Sequence, residues 1–129
     1  MEGSMFKGFE ILVAEDNSTN YALLKELIDL VGAEHIWAKN GEEVLDLLKN
    51  HENISLILMD INMPVMDGIT ATRKIREKEI NIPIIFQTAY TSEENIEDCY
   101  KAGGNDFLSK PIDKVKFRTI LKKYLTNKK

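Results

Sequence analysis

In residues 54 to 68, ISLILMDINMPVMDG, five of the six residues before Asp60 are apolar (Ile54, Leu56, Ile57, Leu58 and Met59), broken only by Ser55. An apolar run without alternation marks a strand covered on both faces, at home in the middle of a parallel sheet flanked by helices. A carboxylate at the mouth of such a strand is costly to desolvate unless something pairs with it. Asp60 therefore reads either as an ordinary strand-ending acid or as the centre of a reactive site, and the rest of the chain decides between them.

Four more apolar or β-rich segments surround this one. Residues 9 to 14 (FEILVA) form a first strand, followed by the acidic turn EDNSTN with several helix-capping residues. Leu24, Leu27, Ile28 and Val31 recur at helical spacing until Gly32 stops the helix. EHIWA, 34 to 38, is a more polar strand suited to a sheet edge, and Asn40 and Gly41 open a second helix carrying Val44, Leu45, Leu47 and Leu48 inward. After Pro64 a third helix is expected from about Val65 to Lys78, with Ile69, Thr72 and Ile75 inward. A fourth strand begins at Pro83 and ends at Thr88, and a fourth helix, about 92 to 102, stops at Gly103 and Gly104. NDFLS is the fifth strand. After the Lys110-Pro111 turn, residues 112 to 126 form the last helix, using Val115, Ile120, Leu121 and Tyr124.

Five strands alternating with five helices specify an α/β domain, a doubly wound parallel (βα)5 sheet. The continuously apolar first, third and fourth strands belong in its centre, which gives the flavodoxin-like order 2-1-3-4-5. The length of 129 residues holds one such domain, expected over 9–126, with 1–8 as a tag or linker (Met1 to Ser4 resemble a cloning scar) and 127–129 as a tail. With 29% charged residues and a net charge of −4, no basic surface points to nucleic acid. No apolar run approaches the roughly 20 residues of a membrane crossing, and the first residues are no signal peptide, so a cytoplasmic location is expected. The single Cys99 excludes an internal disulfide and reads as a buried small hydrophobe. His35 and His51 lack partners at ligand spacing, and the lysines at 122, 123, 128 and 129 read as a solvated helix end.

In the 2-1-3-4-5 arrangement, ligands bind at the carboxyl ends of the strands, near the switch point between strands one and three. Glu15 and Asp16 stand there after strand one, Asp60 after strand three, Thr88 after strand four and Lys110 after strand five. Three carboxylates converging on one crevice repel one another, so they either raise a pKa or hold a divalent cation, and hard oxygen ligands suit Mg²⁺. Lys110 adds a compact positive charge able to pair with Asp60 or with an anion on it. Singly, the acids are helix caps, Thr88 a β-former and Lys110 a solvated turn lysine; jointly they read as a site.

This pattern resembles the receiver domain of bacterial two-component response regulators from Phe9 to Leu125. The resemblance implies that Glu15 and Asp16 hold Mg²⁺, that Asp60 accepts a phosphoryl group from a phosphohistidine, and that Asn62 lends its backbone carbonyl to the metal. It makes Thr88 the switch hydroxyl, Phe107 the switch aromatic, and Lys110 the lysine that meets the phosphoryl group, with a cis peptide to Pro111. Phe107 departs from the commoner tyrosine, so ring position alone carries that part of the switch. The implied partners are a histidine kinase or a histidine phosphotransfer domain, with a possible homodimer through the fourth helix, fifth strand and fifth helix. No direct nucleic-acid or membrane contact is implied, and no diffusible-substrate enzyme beyond the domain's own phosphorylation and dephosphorylation. VAEDNSTN and MDINMPVMDG resemble receivers fused to hybrid sensor histidine kinases more than free transcription regulators, so the module reads as cut from a longer chain.

Three rival classes compete. An aspartate-nucleophile, Mg-dependent phosphatase wants a second acid two residues beyond the nucleophile, where Asn62 stands. A flavodoxin-like ligand-binding module wants a phosphate loop after strand one, where Glu15 and Asp16 repel phosphate. A purely structural interaction domain leaves the acidic crevice without a purpose.

Overall fold

A computed structural model describes residues 5–89 and 93–126, and the side chains of all of these except 93–95 and 126. Its strands are β1 (Glu10–Ala14), β2 (Glu34–Ala38), β3 (Ile54–Asp60), β4 (Ile84–Thr88) and β5 (Asp106–Ser109). Its helices are α1 (Ser18–Val31), α2 (Gly41–Asn50), α3 (Gly68–Glu77), α4 (Glu93–Ala102) and α5 (Lys114–Leu121), the last continued by a π-helical turn over Lys122–Thr126. The sheet order is β2-β1-β3-β4-β5 and every pairing is parallel. The polar strand β2 takes one edge, and β3 is buried along its length apart from Ser55.

Alternation along the strands divides the core into two layers. Ile11, Val13, Leu56, Leu58 and Ile85 face α1 and α5, where they meet Leu24, Ile28, Phe117 and Leu121. Leu12, Ile57, Met59, Ile84 and Phe86 face the other way, onto Val44, Ala71, Ile75 and Cys99. With both faces covered, every carboxyl end of a strand opens on one rim, and short side chains start the helices there. Asn17, Asn40, Asp67 and Asp113 each accept from the backbone N–H three residues on, at 2.7–2.9 Å, satisfying donors that a helix start leaves open.

Two expectations need correction. The third helix starts at Gly68, not near Val65: Val65 sits at φ 69° and the Met66 N–H donates to the Pro64 carbonyl at 2.7 Å, so Pro64 opens a tight turn rather than a helix. Val115 faces solvent, because α5 begins at Lys114 and turns Phe117, Leu121 and Leu125 inward. Ahead of β1, Phe6 is fully buried and its N–H donates to the Val31 carbonyl at 3.0 Å. Residues 1–4, residue 92 as a helix start, and 127–129 lie outside the described residues.

Candidate functional site

β1 ends on Ala14, and the turn that follows is short enough to turn the Glu15 side chain inward, where it is 1% exposed. Each part of Glu15 has a partner. Its N–H donates to the Ala38 carbonyl at 2.9 Å, and its carbonyl accepts from the Trp37 indole at 2.7 Å. Its carboxylate accepts from the Asn17 N–H at 3.2 Å, from the Asn20 amide at 3.5 Å and from the Lys110 ammonium at 3.1 Å. Trp37 is itself fixed, stacked on Tyr21 with centroids 4.2 Å apart and planes 6° apart. Asp16, beside Glu15, is exposed.

Asp60, at the end of β3, is buried, and its carboxylate accepts from Lys110 at 3.3 Å. Lys110 thus bridges Glu15 and Asp60 from the turn after β5. Its own N–H donates to the Thr88 carbonyl at 2.8 Å, and the peptide to Pro111 is cis. Carboxylate oxygens of Glu15, Asp16 and Asp60 lie within 4.8 Å of one another. Burial, with the Glu15 charge close by, pushes the Asp60 carboxyl up to about 6 against the opposing pull of Lys110.

Three carboxylates against one ammonium leave two unmatched negative charges in a small space. A divalent cation answers that imbalance, and the all-oxygen donor set with exposed Asp16 open to water fits a hard ion such as Mg²⁺. Thr88 is buried at the end of β4, paired in register with Ser109. Phe107 lies opposite Phe86 on the β4–β5 pair, half-buried against the layer containing Cys99. Asn62, two residues past Asp60, is exposed. His35 and His51 stand apart from this rim, bonded to the Tyr21 hydroxyl at 2.7 Å and the Leu47 carbonyl at 3.1 Å.

Sequence patterns did not reveal the supports of the site. Gly68 presses against the Asp60 carbonyl so closely that a Cβ there would collide with it. Trp37, Asn17 and Asn20 tie down Glu15; the register of β1 with β2 brings Trp37 in, and one turn of α1 brings Asn20. A groove of about 460 Å³ also opens beside Lys110, between α1 and the start of α5, with Gln87 in its lining.

A five-stranded parallel sheet of this order, with acids after β1 and β3, a buried threonine after β4 and a lysine after β5, defines the receiver class of phosphorelay domains. The chain belongs to the response regulator receiver domain family, whose profile matches residues 11–122. It is 40% identical over 121 residues to the osmosensing histidine protein kinase SLN1 of Saccharomyces cerevisiae, covering 89% of this chain and 10% of that one. The chain spans a tenth or less of the length of SLN1 and of the Dictyostelium discoideum hybrid kinases it matches. Among solved structures it superposes with a TM-score of 0.86 on the receiver domain of the sensor histidine kinase PA1611 from Pseudomonas aeruginosa PAO1, which has a magnesium ion in its active-site cleft (33% identity; 93% and 99% of the two chains). The receiver domain of Ssk1 from Saccharomyces cerevisiae, solved with the phosphotransfer protein Ypd1, gives 0.85 (27% identity; 92% and 90%). No helix among the described residues is long and apolar enough to cross a membrane.

Proposed function

We propose that Asp60 is the phosphoacceptor of this receiver domain, taking a phosphoryl group from a phosphohistidine with Mg²⁺ held by Glu15, Asp16, Asp60 and the Asn62 carbonyl. The single observation that carries this reading is the bridge from Lys110 to both Glu15 and Asp60, which puts a cation beside the reacting oxygen in a cluster still two charges short. An Asp60 carboxylate oxygen forms the new bond to phosphorus as the bond from phosphorus to the histidine nitrogen breaks, and the imidazole leaves with that electron pair. Bound Mg²⁺ supplies charge neutralisation at the phosphoryl oxygens. Lys110 stays within reach of the same oxygens, and the fixed Glu15 keeps the ligand set from rearranging.

The donor on this reading is a histidine kinase or a histidine phosphotransfer protein. That class of partner is supported by the likeness to SLN1 and by the Ypd1 complex of Ssk1. The likeness to hybrid kinases also supports a module working inside a longer, cytoplasmic-facing chain. For the output, a phosphoryl group on Asp60 draws in the Thr88 hydroxyl, and the half-buried Phe107 ring moves into the space released beneath α4. The surface of α4, β5 and α5 changes with it, for a partner or a second copy to read.

The test is intact mass after incubation with acetyl phosphate and Mg²⁺. One added phosphoryl group is expected on the unmodified chain, none on Asp60→Asn and none with Mg²⁺ chelated. Labelling that persists in either control overturns the reading. Thr88→Ala is expected to label while losing the amide NMR shifts that a phosphoryl mimic causes over residues 89–112.

A further inference from the structure

We propose that Tyr21 and His35 are positioning residues for the metal site, holding the Trp37 indole against the peptide that joins the two acids after β1. That role rests on the reading of Glu15 and Asp16 as Mg²⁺ ligands. The Glu15 carbonyl, which accepts from the Trp37 indole at 2.7 Å, belongs to the planar peptide unit between Glu15 and Asp16. With the Glu15 N–H donating to the Ala38 carbonyl at 2.9 Å, both polar atoms of the Glu15 backbone are tied to the end of β2. The direction in which the exposed Asp16 leaves that peptide therefore depends on where the indole stands.

The indole stands where α1 and β2 put it. His35 and Trp37 lie two residues apart on β2, in register with Ile11 and Val13, so they share the face that packs beneath α1. There the Trp37 ring stacks on Tyr21, and the Lys39 ammonium lies 5.1 Å from its centroid. The Tyr21 ring is fixed at its far end, with its hydroxyl 2.7 Å from the His35 Nδ1. The Asp29 carboxylate, 3.7 Å from the His35 Nε2, favours the tautomer with its proton there, which leaves Nδ1 to accept from the Tyr21 hydroxyl. Burial, with the Asp29 charge nearby, pushes the Tyr21 hydroxyl up from its ordinary value, so it keeps its proton for that bond. Asp29, His35, Tyr21 and Trp37 thus form one line of contacts from the last turn of α1 to the Glu15 carbonyl. Packing alone accounts for apolar bulk at these half-buried places, but not for polar atoms aimed each at the next. Loosening any link frees the indole to leave its rotamer, and the peptide between the two acids loses its donor.

The experiment is a Mg²⁺ titration by calorimetry, without phosphodonor, of the unmodified chain, His35→Leu, Trp37→Phe and the doubly substituted chain. His35→Leu is expected to weaken Mg²⁺ binding about threefold, the share of one hydrogen bond that reaches the ligands through Trp37. In the Trp37→Phe background, where the indole donor is gone, the same substitution is expected to cost nothing further, because the two act in series. The single tryptophan gives one indole N–H resonance, and His35→Leu is expected to move it upfield as the bond to the Glu15 carbonyl lengthens. An unchanged affinity in His35→Leu, a loss that persists undiminished beside Trp37→Phe, or an unmoved indole resonance overturns the inference. Should His35→Leu fail to fold, Tyr21→Phe, which keeps the stacked ring and deletes only the hydroxyl, carries the same comparison. Glu15→Gln separates the inference from the reading beneath it. If that variant binds Mg²⁺ as tightly as the unmodified chain, Glu15 does not hold the metal and both fall. If it binds weakly while His35→Leu is unchanged, only the inference falls.

Discussion

The turn after β1, residues 15–17, and the turn after β3, residues 61–67, each bring acid to the same crevice, yet they are built in opposite ways. The first is three residues long and pinned through Glu15: the Asn17 N–H, the Asn20 amide and the Lys110 ammonium donate to its carboxylate, and the Trp37 indole donates to its carbonyl. The second is seven residues long and held by backbone: the Gly41 N–H donates to Met66 and the Gly68 N–H to Ile61, each at 2.9 Å. Donors aimed at the Glu15 carboxylate hold it in place in its charged form. Backbone ties hold the chain around Asp60 and leave its carboxylate to respond, with the Lys110 ammonium donating to it at 3.3 Å. On the proposed function, the difference separates a ligand that must stay still from one that must react.

The largest expected effect tests the backbone fit. In Gly68→Ala the new Cβ would meet the Asp60 carbonyl and lie 2.9 Å from the Met59 Cγ, a clash with backbone that no rotamer relieves. Urea unfolding should show a loss of about 3 kcal/mol, as for overpacked buried sites, together with slower labelling by acetyl phosphate. Stability equal to the unmodified chain would mean that the start of α3 yields easily, and the contrast between the turns would dissolve.

The charge on Asp60 comes next. Its carboxyl is raised to about 6 in the fold, above the ordinary 3.8, so the folded state favours the protonated form. The resulting contribution is fully present below the unfolded value and is lost as pH rises through the folded one. With Mg²⁺ chelated, stability should therefore fall between about pH 4 and pH 7, and Asp60→Asn should remove most of that slope. The variant should be more stable at pH 7.5 by about 1–3 kcal/mol, and added Mg²⁺ should narrow the gap. A slope that survives the substitution would assign the titration to another group.

How much of this was legible in the sequence divides along the same line. Apolar runs and helix spacing carried the sheet order, because β3 could only be central and EHIWA only an edge. The crevice was legible for the same reason: a parallel sheet puts residues 15, 16, 60, 88 and 110 on one rim regardless of detail. Glu15 and Asp16 looked alike as neighbours in the chain, although one is buried and the other exposed. Trp37 bonds across a strand pairing, which no local pattern records. The β3–α3 turn was misread because Pro64 before an apolar residue looks like a helix start, while the left-handed Val65 depends on where Gly68 must lie.

A smaller effect probes the side-chain ties. Trp37→Phe keeps an aromatic ring against Tyr21 but removes the indole donor that the Glu15 carbonyl accepts at 2.7 Å. The loss should be about 1 kcal/mol in urea unfolding, with Mg²⁺ affinity lowered a few-fold by titration calorimetry. Unchanged Mg²⁺ binding would show that Asn17, Asn20 and Lys110 suffice to place Glu15.

The smallest effect, and the one of opposite sign, lies at Val65. Its φ of 69° is a conformation that costs a residue with a Cβ roughly 1–2 kcal/mol, and β-branching adds to the crowding. The side chain recovers little, being 76% exposed. Glycine relieves the crowding but gains more freedom in the unfolded chain, which takes back about 0.5–1 kcal/mol. Val65→Gly should therefore stabilise the protein by about 0.5 kcal/mol, measured by urea unfolding beside Val65→Ala, which retains the Cβ and should fall short of it. If the glycine variant is instead less stable than the unmodified chain, the valine side chain is holding the turn. The β3–α3 turn would then depend on a side chain just as the β1–α1 turn does.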